Sequence, residues 1–202
     1  MSFWNGFFVD EFRFDDFPAN ARVLDVGFGE GAQMEALAER GQSVSGVDFS
    51  DTLVAAAKLR GLDVLQAPAE KLPYPDGSFD GIVCKVVLPY TNEEQAIREW
   101  SRTLKSGGTV LASYHGAGYY LRYLFGAVHW KDRIYGARSL INSWFYSLTQ
   151  RRLPGFVGDT IYQSDRRLAL HYRNAGFEIV SQVNGRTFAG FPVFIYHRLR
   201  RI

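Results

Sequence analysis

The chain has 202 residues, of which 47% are hydrophobic and 22% are charged, a balance typical of one globular domain rather than a disordered or fibrous protein. No run approaches the roughly 18 apolar residues of a membrane-spanning helix. The first ten residues also lack the basic start and apolar core of a secretion signal. The only cysteine, Cys84, argues against a disulfide or a cysteine-based metal site. We therefore expect a soluble cytoplasmic protein with no bound metal.

The net charge of +2 combines an acidic part and a basic part. Residues 1–115 carry 10 Lys/Arg and 17 Asp/Glu, a net charge of −7. Residues 116–202 carry 13 Lys/Arg and 4 Asp/Glu, a net charge of +9. The second part is also rich in aromatic residues. Such a region is typical either of a solvated basic face beside core aromatics, or of contact with an anionic substrate, a membrane surface or nucleic acid.

Short apolar runs alternate with helical patterns up to residue 115, which predicts a parallel α/β sheet. We predict strands over 22–26, 43–48, 62–66, 79–83 and 109–114, and helices over 31–39, 51–59 and 93–104. Ser50 is predicted to cap the second helix, and Ser106-Gly-Gly108 to end the third. After an irregular aromatic segment, 116–160, we predict a helix over 164–175. Two closing strands over 177–183 and 191–198 would then be joined by an antiparallel turn at Asn184-Gly185.

The first predicted strand runs into a glycine-rich loop, in Val23-Leu-Asp-Val-Gly-Phe-Gly-Glu-Gly31. Glycines let a ligand approach the backbone closely, and the N-terminus of the next helix offers free N–H groups. The spacing G-x-G-x-G differs from the G-x-G-x-x-G of dinucleotide-binding proteins. Asp25, two residues before the first glycine, suits a cationic ligand such as an amino-acid ammonium group better than a pyrophosphate.

A second acid, Asp48, ends the second strand in Gly46-Val-Asp-Phe-Ser50. A carboxylate at this place accepts hydrogen bonds from the two hydroxyls of a ribose. The alternative interpretation is an acid that only caps the following helix.

With these motifs the chain resembles the class I methyltransferases, particularly the small ones similar to quinone-biosynthesis C-methyltransferases. The resemblance covers about residues 20–115 and resumes over 160–183. Besides the glycine loop and Asp48, it depends on four further motifs: Ala69-Glu-Lys-Leu-Pro73, Asp76-Gly-Ser-Phe-Asp80, Arg98-Glu-Trp-Ser-Arg-Thr-Leu-Lys-Ser-Gly-Gly108 and Ala175-Gly-Phe-Glu178. Several motifs in the same order are far more specific than any one of them.

The resemblance implies S-adenosyl-L-methionine as the cofactor. The glycines would pack against its methionine and ribose, Phe49 would stack on the adenine, and the N–H of Ala69 would meet the adenine edge. Cys84 and Lys85 would pass under the methionine portion. The predicted cofactor-binding residues are Asp25, Gly27, Phe28, Gly29, Gly31, Asp48, Phe49, Pro68, Ala69, Glu70, Cys84 and Lys85.

Two departures from the family pattern affect recognition. Pro68 stands where the family often has an acid that accepts a hydrogen bond from the adenine amine. The residues after the fourth strand, Cys84-Lys-Val-Val-Leu-Pro-Tyr90, lack the Asn/Asp-Pro-Pro-Tyr motif of enzymes that methylate adenine or glutamine amines. This difference argues against a nucleic-acid amino group as the acceptor.

The sulfonium of the cofactor is already a strong electrophile, so the protein mainly aligns the acceptor and excludes water. An oxygen or nitrogen acceptor would need a base, and His115 at the end of the fifth strand is the candidate, although a structural histidine fits equally well. Tyr90, Tyr114 and Tyr119 are candidate substrate contacts, and each also fits a core or surface aromatic. Lys85 would pair with an anionic group or be solvated.

We therefore predict an α/β fold in a single domain, 1–202. Its Rossmann-like, seven-stranded, mostly parallel sheet would have a C-terminal antiparallel hairpin, helices on both faces and a helical cap insertion at 116–160. The predicted function is methyl transfer to a small, aromatic or lipid-like acceptor, with contact to a membrane surface left open and no nucleic-acid partner. The alternatives are a cofactor-binding or scaffold protein without activity, an NAD(P)-dependent oxidoreductase and a nucleic-acid methyltransferase.

Overall fold

The computed structural model of the protein describes residues 12–202. Seven strands form one sheet in the order β3–β2–β1–β4–β5–β9–β6. They are β1 (Arg22–Val26), β2 (Ser43–Asp48), β3 (Val64–Gln66), β4 (Phe79–Lys85), β5 (Leu104–His115), β6 (Phe177–Asn184) and β9 (Phe194–Arg201). A separate two-stranded ribbon joins the last two and consists of β7 (Thr187–Phe188) and β8 (Phe191–Pro192).

The sheet is parallel from β3 to β5, and β9 pairs antiparallel with both β5 and β6. This arrangement confirms the predicted Rossmann-like fold. The chain order reverses between β1 and β4, and in open α/β sheets ligands bind beyond the carboxyl ends of the strands at such a reversal.

Helices cover both faces of the sheet because its central strands are apolar on both sides. The helices are α1 (Ala32–Glu39), α2 (Asp51–Leu59), α3 (Glu93–Thr103), α4 (Ala117–Gly126), α5 (Trp130–Thr149) and α6 (Asp165–Asn174). On one face, Leu24, Ile82 and Val110 pack with the apolar residues of α3 and α6. On the other face, Val23 and Val83 pack with Leu37 of α1.

Local signals set several helix ends correctly. The Ser50 hydroxyl accepts a hydrogen bond from the Leu53 N–H at 3.3 Å, which confirms the predicted cap of α2. Asn92 caps α3 in the same way, through the Gln95 N–H at 3.2 Å.

Two turn predictions were wrong. Residues 106–108 lie within β5, where the pairing with β4 is irregular, rather than in a helix cap.

The predicted turn at Asn184-Gly185 is the second error. The chain instead reverses at Ala189 and Gly190, both with positive φ, at the tip of the β7–β8 ribbon. Two consecutive residues of positive φ match the right-handed twist of a tight hairpin, and Ala189 is not a residue type that favours this conformation.

The segment 116–160 forms α4, α5 and the connection to α6. Tyr119 and Tyr120 of α4 are buried in one apolar cluster with Leu111, Phe194 and Tyr196 of the sheet. The helix α4 is therefore part of the core layer. In contrast, α5 packs on α4 and leaves its outer side exposed. No helix within residues 12–202 is long and apolar enough to span a bilayer.

Candidate active site

A cavity of about 460 Å³ lies at the carboxyl ends of β1, β2, β3 and β4. Its volume falls in the range of small-molecule sites. The lining combines the ends of the four strands, the loop after β3 and the 3₁₀ turn Leu88–Tyr90. The lining residues are Val26, Gly27, Val47, Asp48, Phe49, Ala67, Pro68, Ala69, Glu70, Lys85, Val86, Val87, Tyr90 and Thr91.

The glycine loop connects β1 to α1, and its first glycine, Gly27, lines the cavity. Gly27, Gly29 and Gly31 all have positive φ, which explains why the loop needs glycine at each of these positions. A Cβ at Gly27 would overlap the Val87 side chain, and one at Gly31 would approach Leu62. The space above Gly29 is open, so a ligand can approach the backbone there.

Asp48 connects the loop to the end of β2. One carboxylate oxygen accepts from the Gly29 N–H at 3.1 Å, and the other accepts from the Ser50 N–H at 2.9 Å. A carboxylate has about four acceptor sites, so both oxygens keep capacity for a ligand. Beside it, the Phe49 ring is 79% exposed although it is a large apolar group. An exposed ring on a cavity wall is available for stacking.

Asp25 is the most unusual polar group near the cavity. Its side chain is 1% exposed, and neither carboxylate oxygen has a hydrogen-bond partner within the described structure. Burial raises the pKa of Asp25 to about 7, the charge of Lys85 lowers it, and that of Asp48 raises it further. A buried acid without a partner is costly, and a cationic ligand would supply the missing interaction.

Lys85 ends β4 and lines the cavity, and its Nζ donates to Gln33 Oε1 at 3.1 Å. The next residue, Val86, also lines the cavity and has a φ of 59°. A β-branched residue rarely adopts this conformation, and such strain is typical of functional sites.

Five of the predicted cofactor residues are not part of the cavity lining. Phe28 packs with Met34 and Val54 against α2, and Gly31 begins α1. The Cys84 side chain is fully buried on the α3 side of the sheet, where burial raises its pKa. Asp25 is buried within β1. Gly29 contacts the site through its N–H to Asp48.

Sequence reasoning missed Val26, Val47, Ala67, Val86, Val87 and Thr91. Most of them flank predicted residues at strand ends, and that adjacency was the available signal.

A cluster of tyrosines adjoins the cavity through Tyr90, which is 52% exposed and lines it. Burial raises the pKa of Tyr135 on α5 and the neighbouring Tyr90 phenol raises it further, so the two side chains lie close together. The Tyr120 ring lies 5.8 Å from the Tyr135 ring. We call these residues, together with Tyr119 and Tyr123, the tyrosine cluster. It extends from the exposed Tyr90 ring at the cavity into the buried layer of α4, where Tyr119 and Tyr120 pack near the end of β5.

His115 lies within this cluster and does not line the cavity. Its ring stacks on Tyr119 at 3.5 Å, and its Nδ1 is 3.5 Å from the Tyr120 hydroxyl. Burial lowers the pKa of His115 to about 3. The imidazole is therefore neutral near pH 7, but it is a weak base.

Tyr114 lies away from the tyrosine cluster. It is fully buried on the α6 side of the sheet, and its hydroxyl is 2.5 Å from that of Tyr172. We therefore no longer consider Tyr114 a substrate contact, because its only polar atom is already bonded inside the core.

Comparisons with known proteins identify the family. Residues 24–112 match a family described as a methyltransferase domain. The chain is 32% identical over 180 residues to the ubiquinone biosynthesis O-methyltransferase of Azoarcus sp., covering 84% of this chain and 69% of that protein. It is 34% identical over 137 residues to the protein of the same description from Xanthomonas oryzae, covering 57% of each. The chain thus spans little more than half of some relatives.

Solved structures show the same fold. A methyltransferase of Methanosarcina mazei described as SAM-dependent superposes with a TM-score of 0.68 at 18% identity, covering 92% of this chain and 94% of that one. The S-adenosylmethionine-dependent methyltransferase of Mesorhizobium loti gives 0.67 at 20% identity, covering 91% and 92%.

The fold and the sequence matches together define a methyltransferase whose cofactor is S-adenosyl-L-methionine. The chain belongs to the class I S-adenosylmethionine-dependent methyltransferase family, and it is an enzyme of that kind.

Proposed function

We propose that the cofactor binds in the 460 Å³ cavity and that the enzyme methylates an oxygen of a small, aromatic or lipid-like acceptor held by the tyrosine cluster. The observation that carries the proposal is the continuity between the two parts. The cavity, with Asp48 and Phe49 in its wall, adjoins the tyrosine cluster through Tyr90.

The residues present fit the cofactor. The unpartnered Asp25 carboxylate suits its cationic methionine portion, Asp48 suits the ribose hydroxyls, and the exposed Phe49 ring suits the adenine. Pro68, Ala69 and Glu70 form the adjoining wall. When bound, S-adenosylmethionine supplies a methyl group activated by the sulfonium, so the chain itself needs only to orient the acceptor and exclude water.

The choice of acceptor rests on the tyrosine cluster and on the relatives. Aromatic rings with hydroxyl groups offer both stacking surface and hydrogen bonds, which suits a phenolic ring better than a strongly charged molecule. The Azoarcus and Xanthomonas relatives are described as O-methyltransferases of ubiquinone biosynthesis, which supports an oxygen of an aromatic acceptor.

An oxygen acceptor loses its proton during the transfer, and His115 is the nearest imidazole to the tyrosine cluster. Its pKa of about 3 is several units below that of a phenol near 10, and each unit opposes proton transfer by about 1.36 kcal/mol. We therefore propose His115 as a group that orients the aromatic surface rather than as the base that takes the proton. Tyr90 and Tyr119 remain proposed contacts of the acceptor side.

The test is transfer of a labelled methyl group from S-adenosylmethionine to phenols and catechols that carry alkyl chains. Asp48→Ala should weaken binding of S-adenosylhomocysteine by about 1.5–3 kcal/mol, the scale of hydrogen bonds to a charged group. Glu39→Ala, at an exposed acid of α1, is the matched control and should bind normally.

Unchanged affinity in folded Asp48→Ala would place the cofactor elsewhere. Normal cofactor binding with no transfer to any hydroxyl acceptor would contradict the proposed acceptor but not the proposed cofactor site.

An acceptor with an alkyl chain partitions into bilayers, so we also propose that the enzyme works at a membrane surface.

A further inference from the structure

The outer side of α5 carries an exposed apolar stripe that the core does not use. Trp130, Ile134, Ile141, Trp144 and Leu148 are all exposed, and Trp144 and Leu148 are 64% and 67% accessible. Their spacing, with Ala137 between them, places them along one face of the helix. Exposed apolar patches of this extent usually mark an interaction site.

Cations surround the stripe. Lys131 and Arg133 lie at its N-terminal end, and Arg151 follows its C-terminal end. A groove beside the C-terminal end of α5, between Ser147 and α6, is lined by Arg166 and Arg173. Within residues 12–202, none of these five cations forms an ion pair with a carboxylate.

We infer that this surface, the α5 stripe with the groove of Arg166 and Arg173, docks the enzyme on an anionic phospholipid bilayer. Tryptophan and aliphatic side chains would enter the boundary between headgroups and acyl chains, and the cations would contact the phosphates. This arrangement is that of an amphipathic helix lying in the plane of the interface, not of a helix that spans the bilayer.

Two other occupants fit the surface less well. In a symmetric dimer built on this stripe, the same cations of two copies would face each other and repel. A nucleic acid would pair with the cations but would leave the tryptophans and leucine in water, where their exposure is unfavourable. An anionic bilayer satisfies both the charged and the apolar groups.

The position of the surface relates it to the acceptor site. The inner side of α5 carries Tyr135, which lies beside Tyr90 of the cavity wall, and the outer side carries the stripe. One helix thus separates the bilayer from the tyrosine cluster. The inference rests on the proposed function in one respect: an acceptor taken from the bilayer would have a short route to the cavity.

The experiment is co-sedimentation of the intact protein with phosphatidylcholine vesicles and with mixed phosphatidylcholine–phosphatidylglycerol vesicles. The protein should bind the anionic vesicles more tightly, and the difference should shrink as salt is added. The double variant Trp144→Ser, Leu148→Ser should lose on the order of tenfold or more in partitioning to both vesicle types. Arg166→Gln with Arg173→Gln should lose about fivefold per charge on anionic vesicles only.

Leu59→Ser is the matched control, because Leu59 is an apolar residue on α2 that is even more exposed than Trp144 and Leu148 and lies outside the surface. It should bind vesicles as the unaltered protein does. All variants should keep normal affinity for S-adenosylhomocysteine and normal methyl transfer to a detergent-solubilised acceptor.

Failure of the unaltered protein to bind vesicles, or equal losses in the stripe variant and Leu59→Ser, would overturn the docking surface. A dimer that Trp144→Ser converts to a monomer would assign the stripe to self-association instead. Tighter binding of RNA than of anionic vesicles would likewise overturn it. Each of these results leaves the cofactor and transfer assays intact, so the proposed function is tested separately.

Discussion

Replacing Asp25 with asparagine should raise the stability of the ligand-free enzyme and lower its affinity for the cofactor. The Asp25 carboxylate is buried without a hydrogen-bond partner, and its pKa is about 7 against about 3.9 in an unfolded chain. Because the pKa of Asp25 is raised on folding, its protonation contributes favourably to the free energy of unfolding. This contribution is complete below pH 4 and is lost as the pH rises towards 7. The loss over these three units is at most about 4 kcal/mol.

An asparagine at this position carries no charge, but it leaves its own amide without a partner, which costs about 1–3 kcal/mol. We therefore expect Asp25→Asn to be about 1–3 kcal/mol more stable at pH 8.5, with a Tm higher by about 2–4 °C for each kcal/mol. Between pH 7 and pH 5 the advantage should shrink by about 2 kcal/mol, somewhat less than the full energy of two pH units because Asp25 is only half ionised at pH 7.

The assay is thermal unfolding of both proteins at pH 5, 7 and 8.5, together with calorimetric titration of S-adenosylhomocysteine at pH 8.5. Comparing the two proteins at the same pH removes the contribution of His115 and His197, whose pKa values burial lowers to about 3 and about 4. Glu39→Gln, at an exposed acid, serves as the control and should change neither quantity. A variant that is less stable at every pH, or that binds the ligand with unchanged affinity, would refute the reasoning.

Three further predictions concern the loop, the imidazole and a helix cap. Gly27→Ala should destabilise the fold by about 1–3 kcal/mol, because the new Cβ overlaps Val87 and the backbone φ is unfavourable for alanine. Gly29→Ala should cost about 1–2 kcal/mol, because only the unfavourable φ applies there. Denaturant unfolding of the two variants measures both losses. The turnover of His115→Phe should depend on pH between 5 and 8 in the same way as that of the unaltered enzyme. If the unaltered enzyme loses activity below about pH 6.5 and His115→Phe does not, His115 is the base after all. Ser50→Ala should lower stability by about 0.5–2 kcal/mol in urea unfolding, and no change would mean that its hydrogen bond at the helix start contributes nothing.

The sequence alone predicted the elements that depend on local patterns. The first two strands and the helix α2 have the predicted bounds, and Ser50 caps that helix. The proposed cofactor site could be predicted for the same reason. In a parallel α/β sheet the loops after consecutive strands meet at one edge, so Gly27, Asp48 and Ala69 line the cavity although they are far apart in the chain.

Residues whose surroundings come from distant parts of the chain were not readable in this way. Alternation along β5 puts Tyr114 and His115 on opposite sides of the sheet, and only the packing of α4 and α6 shows that Tyr114 is bonded in the core. The neutral state of His115 likewise follows from burial, which its neighbours in sequence do not determine.

The amino-acid sequence by itself determined the fold and the edge of the sheet at which a ligand is expected, because glycine spacing, strand ends and helix caps act over a few residues. The cofactor was implied by the resemblance of these motifs to a known family. Tertiary structure decided which of the aromatic residues after 115 are core and which are surface. Tyr120 is buried against the sheet, whereas Trp144 is exposed on α5, and both belong to the same aromatic, basic stretch. Their solvent exposure differs because burial depends on which face of a helix contacts the sheet, and only long-range packing determines that orientation.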